Sequence, residues 1–195
     1  NRDMALALPT IGDAISVFDT QDHIDVLEAY LKDTVPTGQL GIDTTSRYLN
    51  ICDYTRLVDR LGGRFEPFIN VIEAHRMVKT SDELDRMRAA ASAVKAGIDA
   101  ALKTIAVGKT DNDLAAALYQ GSIAAGSEYI GHPPMVVTGP RSELCFALWK
   151  RNTIEKGDVV LLEGAGCVDR YHAMMSRSAV VGKATDEHKA TADAL

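Results

Sequence analysis

The fold is decided by residues 80–105, TSDELDRMRAAASAVKAGIDAALKTI. This stretch opens with a capping box, in which the Thr80 hydroxyl accepts from the Glu83 N–H and the Glu83 carboxylate reaches back to Thr80. Apolar residues then recur at steps of three and four, which is the spacing of one helix face. They are Leu84, Met87, Ala91, Val94, Ile98, Leu102 and Ile105. We therefore predict one long amphipathic helix, ended by Gly108.

The sequence after this helix predicts a second helix and then a strand-rich remainder. The second helix starts at residues 110–113 and should close at Gly126. A short extended run follows over residues 132–139, which is entered through two prolines. Residues 159–162 are all apolar, as in a buried strand, and a turn at Asp169-Arg170 leads into a last strand over residues 171–181.

Residues 1–72 are organised differently, with helices and strands in alternation. The predicted elements are a helix over 22–31, a short strand over 38–43, a helix over 45–61 and an extended run over 64–72. Gly62-Gly63 supplies the left-handed residue that commonly follows a helix, and Pro67 restricts the extended run to an edge or a bulge. This pattern indicates an α/β organisation.

The composition excludes several classes of function. The chain has 195 residues and a net charge of −6, and its charges are interspersed, so it has no basic stripe for nucleic acid. No apolar run reaches the roughly 20 residues that a membrane-spanning helix needs. Cys52, Cys145 and Cys167 form no disulfide framework, which fits a reducing cytoplasm. We therefore expect a cytoplasmic protein whose partners include neither nucleic acid nor a membrane.

Glu163 is the strongest candidate for a reacting group. Four apolar residues lead into it and Gly164-Ala-Gly166 follows, so its carboxyl group leaves a buried strand beside small neighbours. A carboxylate in such a place can act as a base or as a nucleophile. The alternative interpretation is a structural ion pair with Arg170 or Arg177.

Two histidines are further candidates, because histidine is the usual proton carrier near neutral pH. His132 precedes two prolines, and His172 lies on the last predicted strand; either can instead be a structural or surface residue. We predict no metal site, since no helix carries paired ligands at the required spacing. Gly139-Pro-Arg-Ser142 lacks the Gly-Lys-Ser/Thr ending of a phosphate loop and predicts a β-turn.

Several of these segments together resemble the creatinase/aminopeptidase P superfamily, whose catalytic domain has the pita-bread fold. Arg76-Met-Val-Lys79-Thr-Ser-Asp-Glu-Leu84 is similar to the start of that domain, and Val107-Gly-Lys-Thr-Asp-Asn-Asp-Leu114 is similar to its second helix. Residues 133–139, the Lys156-Gly-Asp158 turn and the strand into Glu163 follow in the family's order.

The resemblance implies an α+β fold in two parts. Residues 73–195 would be the N-terminal half of a pita-bread catalytic domain, and residues 1–72 the C-terminal part of an α/β N-terminal domain. A helical pattern that starts at Thr185 reaches Leu195 without a glycine or a basic last turn, so we expect that the chain is a fragment of a longer protein.

The resemblance also implies the place of a metal centre, and there this sequence departs from the family. Metallopeptidases of the family carry one Asp at the strand end and a second Asp eleven residues on, where this chain has Glu163 and Met174. A thioether offers no oxygen to a hard metal ion. We therefore expect no metal cofactor; Mn, Co or Zn would bind only if ligands follow Leu195. A family histidine that binds substrate is replaced by Phe146.

One branch of the family works without metal. The stretch Glu163-Gly-Ala-Gly-Cys167-Val-Asp-Arg170-Tyr-His172, with Ser176-Arg177 after it, looks like that of ectoine hydrolases, and creatinase is the other metal-free relative. The resemblance implies that Glu163 acts on the amidine carbon of the substrate. The predicted catalytic residues are Glu163, His132 and His172, and the predicted substrate-binding residues are Arg170, Arg177 and Phe146.

The prediction is thus a metal-independent hydrolase of a C–N bond in a small-molecule substrate. An arginine would hold a substrate carboxylate by paired hydrogen bonds, and His132 would replace the base lost at Phe146. Two alternatives stay open: a metallopeptidase that acts on Xaa-Pro substrates, and a non-catalytic binding module. Analogy with the family also implies a homodimer.

Overall fold

Two compact units make up the chain in the computed structural model, which describes Leu6 and residues 12–129, 132–144 and 146–194. The first unit comprises residues 1–78 and the second residues 79–195. Each has its own apolar core. Among the helices of the described residues, none combines the length and the hydropathy required to cross a membrane.

The first unit is a small α/β arrangement. Its described elements are α1 (His23–Thr34), β1 (Leu40–Ile42), α2 (Ile51–Leu61), β2 (Phe65–Pro67) and α3 (Val71–Met77). Strands β1 and β2 pair in parallel, with Leu40 opposite Phe65. These two residues pack against Ile24, Leu57 and Leu61, which α1 and α2 bury. The alternation of helices and strands agrees with the predicted organisation.

The helix predicted over residues 45–61 is wrong at its start. Helix α2 begins only at Ile51, because the Asn50 side chain accepts a hydrogen bond from the Asp53 N–H and caps it there. Further upstream, the Asp43 carboxylate accepts a hydrogen bond from the backbone N–H two residues later, at 2.8 Å. Such local side-chain bonds compete with helix formation.

The extended run predicted over residues 64–72 is also only partly correct. Strand β2 occupies Phe65–Pro67, and α3 then begins at Val71. Asn70 adopts the left-handed conformation, with φ 61°, and so turns the chain between the two elements. The apolar residues at the start of α3 by themselves favour a strand. The turn at Asn70 separates them from β2, and they form a helix instead.

The second unit contains the helix on which the fold prediction rests. Its described elements are α4 (Ser81–Thr104), α5 (Asp111–Ala124), β3 (Met135–Thr138), a 3₁₀ helix (Gly139–Glu143), β4 (Val159–Val168), β5 (Tyr171–Val180) and α6 (Asp186–Asp193). Thr80 and Glu83 form the predicted capping box. Helix α4 ends before the predicted Gly108, and the predicted β-turn at residues 139–142 is the 3₁₀ helix.

Strands β3, β4 and β5 form an antiparallel sheet with β4 in the centre. Leu162 of β4 is fully buried in a core with Val94 of α4 and Leu118 of α5, so both helices pack on one face of the sheet. Two glycines of β4 allow this close approach. A Cβ at Gly164 would lie 3.0 Å from the Leu118 side chain, and a Cβ at Gly166 would lie against the backbone of α4.

The first turn of α5 is tied to the loop that leads into β4. Asp111 is fully buried, and its carboxylate accepts hydrogen bonds from the Lys150 N–H at 3.1 Å, the Asn152 N–H at 3.0 Å and the Asn152 side-chain amide at 2.7 Å. These bonds satisfy a buried charge with fixed donors. They hold the loop against the start of the helix.

Replacing Asp111 with Ala is expected to destabilise the second unit by about 2 kcal/mol, because it leaves three part-buried N–H donors without their acceptor. Urea unfolding followed by circular dichroism measures the effect. Asp99→Ala is the matched control, since Asp99 forms an exposed pair with Lys95 that contributes little. Equal destabilisation by the two substitutions would contradict the assignment.

Candidate functional site

Glu163 lies in the middle of β4, on the face of the sheet opposite α4 and α5. Leu162 and Gly164 face these helices, so Glu163 between them points the other way. Its cross-strand partners are Met135 of β3 and Ser176 of β5, which share its face. We call this side of the sheet the Glu163 face. The Glu163 side chain is half-buried there.

The Glu163 carboxylate has no hydrogen-bond or ion-pair partner among the described residues. The alternative interpretation, an ion pair with Arg170 or Arg177, is therefore not seen in the described part of the chain. A half-buried carboxylate without a fixed partner keeps its lone pairs available to a ligand.

Arg177 lies on the opposite face of the sheet from Glu163. It is the cross-strand partner of Leu162, which faces the helices. Its guanidinium donates to the Ser176 carbonyl oxygen at 2.7 Å. Its charge also lowers the pKa of Asp99 on α4, behind the larger effect of the hydrogen bond from Lys95. The structure therefore does not bring Arg177 and Glu163 together.

Arg170 lies at the tip of the β4–β5 hairpin. Asp169 and Arg170 both have positive φ, 48° and 66°, as the two-residue turn with the twist of paired strands requires. The Arg170 guanidinium carbon lies 4.3 Å from the centre of the Tyr129 ring. Arg86 donates to the Asp169 carboxylate at 3.0 Å and fixes the turn to α4. Arg170 is exposed and stacked at the hairpin end of the sheet.

His172 shares a face with Glu163 but lies toward the same hairpin end. Its cross-strand partner is Cys167, four residues beyond Glu163, which corresponds to about 13 Å along a strand. The His172 Nδ1 donates to the Arg170 carbonyl oxygen at 2.9 Å, since a carbonyl can only accept. The two side chains are too far apart for His172 to orient the carboxylate. Burial raises the pKa of the neighbouring Cys167 thiol, which keeps it protonated.

His132 lies three residues before Met135, the cross-strand partner of Glu163. Three residues of chain span at most about 11 Å. The His132 Nδ1 donates to the Pro133 carbonyl oxygen at 2.8 Å. In the neutral ring its Nε2 therefore carries the lone pair, and this atom is buried without a partner among the described residues. No described group forms a hydrogen bond with this nitrogen.

Phe146 lies in the loop before β4, and its ring is 81 % exposed. Its backbone has a φ of 58°, which is uncommon for a residue other than glycine. Nearby, the Arg141 guanidinium donates to the Leu148 carbonyl oxygen at 2.9 Å and closes the loop. The Phe146 ring is therefore not part of the described apolar core, and its contact with a substrate remains a prediction.

Two methionines lie near Glu163, and of these the sequence pointed only to Met174, as the residue in place of the family's second Asp. Met135 and Met174 both lie on the Glu163 face, since they pair with Glu163 and Ala165 respectively. Side chains alternate between the two faces along a strand, so the sequence alone indicates which residues of one strand share a face. The pairing register was also needed, and it follows from the folded sheet.

A family model for metallopeptidases, "Metallopeptidase family M24", matches residues 85–195, which is more than half of the chain. The chain belongs to metallopeptidase family M24. The predicted relation to the creatinase/aminopeptidase P superfamily is thereby confirmed.

Two of the curated proteins that the chain is similar to have different names. An Xaa-Pro dipeptidase of Pyrococcus furiosus is 24 % identical over 153 residues, covering 78 % of this chain and 43 % of the relative. An ectoine hydrolase of Halomonas elongata is 26 % identical over 168 residues, covering 81 % of this chain and 42 % of the relative. The chain therefore spans less than half the length of these relatives.

Two solved structures confirm the fold prediction. The X-Pro aminopeptidase of Thermotoga maritima superposes with a TM-score of 0.81 at 23 % identity, over 91 % of this chain and 49 % of that one. The prolidase of Pyrococcus horikoshii gives a TM-score of 0.77 at 21 % identity, over 92 % of this chain and 49 % of that one. The chain thus has the α+β architecture of part of a pita-bread protein.

The family name implies a metal ion, and the described residues do not fit one. Nowhere in the described part of the chain do three or more His, Cys, Asp or Glu side chains lie close enough to hold a metal. On the Glu163 face, the diagonal neighbour of the carboxylate is Met174, whose thioether is a poor ligand for hard ions. One carboxylate beside a thioether is not a donor set for Mn²⁺ or Zn²⁺.

Proposed function

We propose that the protein is a hydrolase that cleaves a C–N bond of a small amide or amidine without a bound metal. Glu163 would be the nucleophile or the base, as in an ectoine hydrolase-like or creatinase-like reaction. One observation carries the proposal: the half-buried Glu163 carboxylate has no partner among the described residues and has Met174 as its diagonal neighbour. The similarity to the ectoine hydrolase of Halomonas elongata supports it.

A carboxylate nucleophile divides a difficult hydrolysis into two easier steps. A Glu163 oxygen bonds to the substrate carbon, the C–N bond breaks, and the leaving nitrogen takes a proton from protonated His132. Water then attacks this intermediate, which is an acyl-enzyme for an amide and an imidoyl-enzyme for an amidine, and gives a proton to His132 Nε2, which restores both residues. The unpartnered Nε2 supports this assignment to His132. In the alternative base mechanism, Glu163 takes the proton of the attacking water.

His172 and Arg170 are proposed to contact only the far end of a substrate, because both lie toward the hairpin end of the sheet. Phe146 would contribute an exposed ring to the same substrate. Arg177 is left out of the proposal, because it pairs with Leu162 on the opposite face.

Chelation is expected to leave turnover of a cyclic amidine unchanged, because no described metal donor set surrounds Glu163. The test measures hydrolysis before and after EDTA treatment, with an Xaa-Pro dipeptide assayed in parallel. A covalent mass increase on the Glu163 peptide in acid-quenched turnover would support the nucleophilic form. Loss of all activity with EDTA, restored by Mn²⁺, would contradict metal independence.

An Xaa-Pro peptidase is the second candidate function, and the names of several relatives favour it. Activity on the dipeptide that requires Mn²⁺ would establish it. A non-catalytic binding module is favoured by the residues at Phe146 and Met174, which depart from the family pattern. In that case neither substrate class would be hydrolysed.

We also propose a cytoplasmic location and a homodimer, the latter by analogy with the family. The odd number of cysteines, three, supports a reducing compartment. Light scattering during size-exclusion chromatography tests the assembly, and a mass of 21.0 kDa in solution would contradict it.

A further inference from the structure

Two methionines flank the Glu163 carboxylate on its own face of the sheet. Met135 is the direct cross-strand partner of Glu163 on β3. Met174 of β5 pairs with Ala165, which makes it the diagonal neighbour of Glu163 on the other side. Diagonal neighbours in a sheet lie about 7–8 Å apart, within reach of a long side chain.

The exposure of Met174 distinguishes it from a core methionine. Its side chain is 65 % exposed, whereas the next residue, Met175, packs against the core on the helix face. Ala165, which has only a methyl group, is the direct cross-strand partner of Met174 and lies two residues from Glu163 on the same strand. The face therefore has two flexible apolar side chains near one carboxylate, and the other residues beside them, Ala165 and Ser176, are small.

A site of this kind is complementary to a ligand with a reacting polar group and an apolar flank. Thioether side chains are unbranched and polarizable, and they adapt to alkyl groups of different shape. Each methylene that they bury strengthens binding about fourfold. Arg177 is on the opposite face and Arg170 stacks on Tyr129. Neither of these two arginines therefore lies beside Glu163 to bind an anionic group of the substrate.

We infer that Met135 and Met174 are substrate-contacting residues that select a substrate with an alkyl group beside the scissile carbon. This inference rests on the proposed function of Glu163 as the reacting group. It names a narrower class of substrate: small amides or amidines whose reacting carbon carries a hydrocarbon chain. The methionines would form the two walls against which that chain lies.

Methyl resonances of methionine test the contact directly in the full chain. The chain has six methionines, so a ¹³C-methyl-labelled sample gives six resonances. Titration with butyramidine should shift the Met135 and Met174 signals and leave that of Met175 nearly unchanged, since Met175 packs against the core on the helix face of the same sheet. Acetamidine, which is two methylenes shorter, should bind up to about 16-fold more weakly, at about fourfold for each methylene that is buried. An unmoved Met174 signal, or equal binding of the two probes, would overturn the inference.

Substitution of Met174 separates this inference from the proposed function. Met174→Ala should reduce the preference for butyramidine over acetamidine at least threefold, and Met174→Leu should retain most of it. Because Met174 is an exposed residue, neither change should disturb the core. An unchanged preference in Met174→Ala would overturn the inference even if Glu163 is essential for turnover. Full turnover without Glu163 would contradict the proposed function. The methionine contacts would then be decided by the titration and by the binding preference of Met174→Ala.

Discussion

Glu163→Gln is expected to slow turnover of a small cyclic amidine by about 100- to 10,000-fold, the usual contribution of a positioned acid, base or nucleophile. Glutamine has nearly the shape of glutamate, so the half-buried position should tolerate it. A neutral amide, however, neither attacks a carbon nor takes a proton from water. Steady-state kinetics with the purified chain measure the loss, which should fall mainly on kcat.

Glu155→Gln is the matched control for this substitution. Glu155 is exposed in the turn before β4, and its change of charge is the same, so its turnover should stay within about twofold of the original. Full activity of Glu163→Gln would end the proposal that Glu163 is the reacting group. A similar loss in both variants would indicate an effect of net charge on the chain.

Gly166→Ala is expected to destabilise the second unit by about 3 kcal/mol, at the upper end of overpacking effects. A Cβ at this position would lie 2.2 Å from the Ala90 carbonyl oxygen and 3.1 Å from the Val94 nitrogen. Both atoms belong to the backbone of α4, which cannot rotate away as a side chain can. Either the helix must move off the strand or the strand must bend.

Gly164→Ala provides the control on the same strand and the same face. There the nearest atoms belong to the Leu118 side chain, at 3.0 and 3.4 Å, and a change of rotamer relieves the contact for about 1 kcal/mol. The fluorescence of Trp149 reports on this unit, because it is the one tryptophan of the chain and its ring meets Tyr119 edge-on. Equal midpoints of urea unfolding for the two variants would contradict the packing argument.

The sequence predicted helices well where local chemistry and burial agree. At α4 the capping box of Thr80 and Glu83 fixes the start, and apolar residues at helical spacing give one buried face. The prediction of a helix over residues 45–61 was wrong at its start, because the helix begins at Ile51. The side chains of Asp43 and Asn50 can each accept a backbone hydrogen bond that starts a helix or a turn. The hydrophobic pattern alone does not show which of the two starts the helix.

The sequence by itself determined the family, the helix of residues 80–105 and the candidacy of Glu163, because each depends on neighbours along the chain. The family resemblance pointed to Met174 as a neighbour of that carboxylate, and the tertiary structure decided which other side chains surround it. Strand alternation assigns residues to two faces, but only the packing of α4 and α5 covers one of them. Register then places Met174 beside Glu163 and Arg177 on the other face, since pairing across strands joins residues that are distant in sequence.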